Sequence, residues 1–193
     1  FERSVREVCE VAGVALHVLT VNRHAEVQSA YETPAALGKD RWAACMALTQ
    51  VSQAAVNLLV SFGTATTFDI VVKNTHWQHL GGYIVPGIET MLQSLHSNTA
   101  ELPKVDFNLA TANTWPVSTQ QAIGQGVGRM QAAMVQSIAA QLEQEHREPA
   151  VVWLSGGFAP MMQASLPQAK LLEHAVFKGL LVDYLLGQKG AAA

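Results

Sequence analysis

Apolar residues recur at helical spacing near the start of the chain, where Val5, Val8, Cys9, Val11 and Ala12 follow a helical repeat and Gly13 offers a stop. The apolar and β-branched run at residues 16–21 then predicts a strand. A polar stretch over residues 22–34 precedes a second helix, predicted over residues 40–55 and rich in Ala, Met, Leu and Gln. Three strand-like runs follow at residues 57–62, 66–73 and 77–85. They are punctuated by Gly63-Thr64 and Asn74-Thr75, a pattern that reads as a β-meander. Helices are predicted over residues 88–97 and 118–145, then a short buried strand over residues 150–154 ending at Ser155-Gly156-Gly157. A further helix, a strand at 171–177 and a helix at 178–186 complete the order, and residues 190–193 read as an unstructured tail.

From residue 56 onward the order is strand, strand, strand, helix, strand, helix, strand, helix, the pattern of a mixed-sheet α/β unit with its loops gathered at one edge. The first 55 residues carry only the end of such a unit. The expected organisation is residues 1–55 as the C-terminal part of a first unit, residues 56–189 as a second, and the tail.

Composition narrows the function classes. With 193 residues, 49% hydrophobic and 14% charged, the chain buries a substantial core and is not a disordered segment. A net charge of -3, with the 12 basic residues scattered, argues against nucleic acid as a partner. The longest apolar runs fall far short of the roughly 20 residues that span a bilayer, so no membrane segment is expected. Two cysteines, Cys9 and Cys45, without CxxC spacing, read as reduced thiols of a reducing cytoplasm. The chain opens on Phe1 with no signal pattern, which suggests a fragment of a cytoplasmic protein.

The candidate chemistry lies in glycine-bearing loops. Gly63-Thr64-Ala65-Thr66-Thr67 joins two strands, and its backbone N–H groups and hydroxyls could cradle phosphate oxygens. Gly81-Gly82-Tyr83-Ile84-Val85-Pro86-Gly87 and Gly156-Gly157 each precede a helix, where N–H donors could meet an anion. None matches a Walker loop or a dinucleotide fingerprint. Gly38-Lys39-Asp40-Arg41 delivers a carboxylate and a guanidinium to a helix start. Read locally, Asp40 is a helix cap with Arg41 paired on the helix surface, Tyr31 a loop residue and Thr99 a helix-end cap. His76 and His79, three apart on a strand, point to opposite faces and do not share a metal ion. No metal site is expected from the histidines. Ile123, Val127, Met130, Met134 and Ile138 make an apolar helical stripe suited to a core or a dimer seam.

Taken together and in order, Gly38-Lys39-Asp40-Arg41, Gly63-Thr64-Ala65-Thr66-Thr67, the Gly81–Gly87 block and Ser94-Leu95-His96-Ser97-Asn98-Thr99-Ala100-Glu101-Leu102-Pro103 resemble the signature blocks of type III pantothenate kinases, also described as Bvg accessory factors. The resemblance implies an actin-like, acetate-kinase-like fold of two ribonuclease-H-like units, ATP as phosphoryl donor, a divalent metal such as Mg and a homodimer. It implies phosphorylation of the primary hydroxyl of pantothenate, the first step of coenzyme A biosynthesis. By the same resemblance Asp40 is the general base. Tyr31, Gly38, Lys39, Asp40, Arg41 and Thr99 are substrate contacts, and Thr64 is a nucleotide contact. Two departures stand out. Ser61 occupies the position of the family's aspartate for a monovalent cation, K or ammonium, and a hydroxyl is a poor replacement for a carboxylate on a hard cation. The family's N-terminal D-x-GNT phosphate loop has no counterpart between Phe1 and Ala30, so the chain is expected not to turn over ATP by itself. An accessory or regulatory protein on the same fold is the alternative reading.

Overall fold

The computed structural model of the chain describes residues 2–107 and 115–191. One mixed sheet forms its centre. Strands β2 (Val56–Phe62), β3 (Ala65–Lys73) and β4 (Trp77–Pro86) make the expected antiparallel meander. Three parallel strands extend it: β1 (Val27–Ser29) beside β4, β5 (Ala150–Ser155) beside β2, and β6 (Lys170–Leu171) beside β5, giving the order β1-β4-β3-β2-β5-β6.

Helices cover both faces, and the alternation along β2 shows how. Val56, Leu58, Val60 and Phe62 enter one core with residues of α3 (Ile88–Asn98), α4 (Thr119–His146) and the short α5 (Ala159–Met162). Leu59 turns to the other face and meets α2 (Lys39–Val51), Val71 of β3 and Trp153 of β5, with α6 (Ala175–Ala191) packed on α2. A strand buried on both faces reads as a nearly continuous apolar run, which is why β2 stands out in the sequence. The two helices α2 and α6 approach closely at Gly179, where a side-chain Cβ would run into the Ala43 carbonyl oxygen. Asn57, fully buried between the layers, accepts a hydrogen bond from Trp153 Nε1 (3.1 Å) and donates to the Val71 carbonyl (3.3 Å), so one amide braces β2, β3 and β5.

Helix α1 (Glu2–Ala12) forms as the spacing predicts. Residues 16–21, expected as a strand, form no ladder with the described residues; the edge beside β4 is taken by β1 instead, and Leu19 buries without strand pairing. Strand propensity needs a free neighbour to become a strand. Helix α2 stops at Val51 rather than residue 55, because Ser52 turns extended and its hydroxyl bonds to Asn57. The strand expected at residues 171–177 is confined to β6. His174 adopts a left-handed conformation (φ 53°), and Val176 and Phe177 belong to α6. A short apolar run bounded by a turn fits a strand or a buried helix start equally well. Helix α6 also runs to Ala191, past the start of the expected tail, whose last two residues lie outside the described residues. Of the apolar stripe on α4, Ile123, Val127 and Ile138 are core, Met134 packs at its margin and Met130 is exposed.

Candidate functional site

Strands β2 and β5 run parallel and end together, at Phe62 and Ser155. In open α/β sheets the crevice outside such carboxyl ends is where ligands bind. Here a cleft of about 730 Å³ opens at that edge, lined among others by Asp40, Arg41, Ser61, Thr64, Ser155 and Gly156. The β2–β3 turn is fastened from behind. The Thr64 carbonyl accepts the Gly87 N–H (3.0 Å) and the Thr90 hydroxyl (2.8 Å), both from the start of α3. Gly87 is obligatory there, since a Cβ would collide with the Gly63 and Thr64 carbonyl groups. The turn is thus held with its exposed threonine at the cleft.

Helix α2 brings the acidic and basic groups. Gly38 is its N-cap, and the Gly38 carbonyl accepts the first helical N–H, from Trp42 (3.0 Å). Asp40, in the first turn, is exposed at the cleft, and its Oδ1 lies 2.8 Å from where a Gly38 Cβ would stand. Asp40 is therefore not the cap, and it is the single carboxylate among the residues lining this cleft. Lys39 is exposed at the helix start and lies outside the cleft lining.

Arg41 is buried (6% exposed) rather than paired on the helix surface. Its Nε and Nη2 donate to Asp69 (3.1 and 2.6 Å), and its Nη1 donates to the Tyr31 hydroxyl (2.9 Å). Burial by itself would lower the guanidinium's pKa; the hydrogen bonds and charge of Asp69, helped by Tyr31, outweigh it and hold the group above its ordinary value. Tyr31 lies outside the main cleft, in a shallow neighbouring groove with Gly81 and Gly82, and reaches the cleft through Arg41. Thr99 caps α3, its hydroxyl donating to the Leu95 carbonyl (2.7 Å), and does not line the cleft. One chain thus gathers Asp40, Arg41 and Thr64, attaches Tyr31 through Arg41, and leaves Thr99 elsewhere.

Asp69 was not singled out by the sequence, His79 was read only as a strand histidine that shares no metal with His76 and Cys45 only as a reduced thiol, yet the three form the floor beneath Arg41. Asp69 is 1% exposed and His79 fully buried, with His79 Nε2 2.9 Å from Asp69 Oδ1. The available signal was a lone carboxylate inside the apolar run Phe68-Asp69-Ile70-Val71-Val72, which requires a buried partner. The ligand atoms of Cys45, Asp69 and His79 all lie within 4.8 Å of one another, a spacing that could hold a metal ion. Two features of the donor set oppose this. The Arg41 charge already engages Asp69, and burial, followed by the Asp69 charge, pushes the Cys45 thiol well above its ordinary pKa, so it stays protonated. The cleft itself, with one carboxylate, builds no cage for a divalent ion. An ion arriving on nucleotide phosphates needs few protein ligands.

The molecule is an α/β protein whose mixed sheet opens a glycine- and threonine-lined cleft at the ends of its central parallel strands. Its sequence matches the family model for type III pantothenate kinase over residues 1–141, and the chain belongs to that family. It is 34% identical over 155 residues to the type III pantothenate kinase of Chlorobium luteolum, covering 77% of this chain and 56% of that protein. It is 34% identical over 164 residues to that of Pseudomonas putida, covering 83% of this chain and 64% of that protein. The chain thus spans less than two thirds of the length of these relatives. A solved structure of a conserved Baf family protein from Campylobacter jejuni superposes with a TM-score of 0.59 at 20% identity, over 91% of this chain and 70% of that one, and shares the fold. No helix among the described residues is long and apolar enough to cross a membrane.

Proposed function

We propose that the intact protein to which this chain belongs is a pantothenate kinase, transferring the γ-phosphoryl group of ATP to the primary hydroxyl of pantothenate to give 4'-phosphopantothenate, the first step of coenzyme A biosynthesis. The observation that carries this reading is the convergence of the Asp40 carboxylate and the Arg41 guanidinium on the same cleft as the Gly63-Thr64 turn and Ser155-Gly156. A primary alcohol is a poor nucleophile at neutral pH. Asp40, exposed at the cleft, is placed to accept the hydroxyl proton as the oxygen bonds to phosphorus and the bond to ADP breaks. Arg41 keeps two of its five N–H groups beyond those given to Asp69 and Tyr31, and these are available to a polar acceptor. Thr64 and the N–H groups of its turn would face phosphate oxygens, with Mg entering as part of the MgATP substrate.

Ser61 lines the cleft without a charge, so no K or ammonium site is assigned there. The division into a partial first ribonuclease-H-like unit (1–55) and a second (56–189) is supported by the strand and helix order from Val56 onward. A homodimer in the cytoplasm belongs to the same reading, with exposed Met130 as a seam position. The test is Asp40→Asn in the full-length protein, expected to lower the turnover of pantothenate by at least about a hundredfold. Unchanged turnover would remove Asp40 as the base. Ser61 also supports a second reading, an accessory protein that binds neither ATP nor pantothenate, which calorimetry with each ligand separates from the first.

A further inference from the structure

The β3–β4 ladder carries a bulge. Asp69 pairs with Gly82 and Ile70 with Gly81, but Val71 pairs with His79, leaving Leu80 as the extra residue. In an unbroken ladder Val71 would face Leu80, and His79 would fall opposite Val72, turned to the α3 and α4 core. A one-residue slip reverses the face. The bulge therefore sends His79 to the same side of the sheet as Val71 and Asp69, under α2, while Leu80 is left part-exposed.

On that side His79 joins two elements. Its Nε2 meets Asp69 Oδ1 at 2.9 Å, and its Nδ1 meets Ser29 Oγ at 3.1 Å, across the β1–β4 pairing in which Ser29 is opposite His79. Ser29 Oγ accepts the Tyr31 N–H (3.3 Å), which leaves its own proton for Nδ1 and assigns the Nε2–H to Asp69. The Tyr31 ring stacks on the imidazole, with centroids 5.7 Å apart and planes at 27°. Both partners of Arg41, the Asp69 carboxylate and the Tyr31 hydroxyl, are thus held by one histidine. A guanidinium fixed at three N–H groups presents the remaining two in a set direction, and a carboxylate free to rotate would not hold it so.

Resting on the pantothenate kinase reading, we propose that His79 is a positioning residue for the acceptor: through its Nε2–H on Asp69 it fixes the Arg41 fork, and through Ser29 and the stacked Tyr31 it fixes the other end of the same guanidinium. It touches no substrate, so its effect falls on holding pantothenate and not on the nucleotide.

Two substitutions separate its nitrogens. In His79→Gln the side-chain amide reaches about as far as Nε2 and keeps a donor for Asp69; in His79→Asn it matches Nδ1, keeps the Ser29 contact and leaves Asp69 without this donor. In steady-state kinetics of the full-length protein, His79→Asn is expected to raise the pantothenate KM at least about tenfold, the scale of one hydrogen bond to a charged group. The ATP KM and the kcat at saturating pantothenate should stay within about threefold in both variants, and His79→Gln, which keeps the donor for Asp69 but gives up Ser29 and the stacked ring, should raise the pantothenate KM only about threefold. An unchanged pantothenate KM in His79→Asn, equal damage in both variants, or a fall in kcat with KM unmoved overturns the proposal. A second arm needs no substrate. The Arg41 Nε–H cross-peak in a proton–nitrogen correlation spectrum is expected to persist in the wild type and His79→Gln and to be lost to exchange in His79→Asn; its persistence in His79→Asn overturns the network. A wild type that neither binds nor phosphorylates pantothenate refutes the kinase reading, while the spectral arm still decides the role of His79. If His79→Asn does not fold, Ser29→Ala frees Nδ1 at a part-exposed strand, and the pantothenate KM should rise at least about threefold. An unmoved value there overturns the proposal too.

Discussion

The buried pair of Arg41 and Asp69 sets a measurable stability. Asp69→Asn keeps the shape of the side chain and removes its charge, leaving a guanidinium that is 6% exposed with a neutral amide oxygen and the Tyr31 hydroxyl as its partners among the described residues. Breaking one side of a desolvated pair costs about 3–5 kcal/mol, since the surviving charge stays buried. Here Arg41 Nε and Nη2 both lose a carboxylate, at 3.1 and 2.6 Å, and the new amide N–H atoms face other donors. With a urea dependence of about 2 kcal/mol per M for a chain of this size, a loss of about 4 kcal/mol moves the unfolding midpoint down by about 2 M. Replacing both partners, Arg41→Met with Asp69→Leu, leaves no buried charge and should recover most of that loss, to within about 2 kcal/mol of the wild type. The assay is urea unfolding followed by tryptophan fluorescence. A cost below about 1 kcal/mol for Asp69→Asn, or a double variant no more stable than the single one, would refute the view that the pair is desolvated and mutually dependent.

Other expectations are simpler to check. Cys45 is buried with its thiol held protonated, while Cys9 is only half-buried, so a thiol reagent should label Cys9 in the native protein and Cys45 only after unfolding; rapid native labelling of Cys45 would contradict its placement. Because the folded state raises the Cys45 pKa, unfolded chains release this proton first. This group's contribution to stability is therefore fully present below about pH 8.5 and falls as pH rises past that value, which denaturation midpoints across pH 7–10 in wild type and Cys45→Ala would show. Gly179→Leu should prevent the α2–α6 approach and cost at least about 3 kcal/mol, read from the thermal midpoint, whereas Gly13→Ala, at a turn with open space around it, should cost about 1 kcal/mol through its positive φ alone.

The meander was legible because its punctuation is local: Gly63-Thr64 and Asn74-Thr75 sit where β2, β3 and β4 turn, and the apolar runs between them leave little choice. Strand β1 was not, for three residues in a polar stretch carry no period, and their pairing partner lies fifty residues away at Trp77–His79. The glycine loops and the Asp40-Arg41 pair could be placed at one edge from their positions between elements. What Arg41 does there could not, since its burial depends on Asp69, whose partner His79 reaches the right face through the bulge at Leu80. Periodicity assumes an unbroken ladder, and a single extra residue defeats it. The opposite fault explains residues 171–177, where apolar content was read without the turn that His174 makes.

Asp183, on α6, is fully buried and gives one carboxylate oxygen to each of two histidines that precede β1, His17 (2.6 Å) and His24 (2.8 Å). This clasp joins positions 166 and 159 residues apart, so it closes nearly the whole chain into a loop. Neither segment can open without breaking both hydrogen bonds of the clasp, and their amide protons should exchange with solvent together, as one cooperative unit, ahead of the β2–β3–β4 centre. The two ends of the sequence are thereby a single region of the molecule for proteases and for heat, and damage to either one is felt at both.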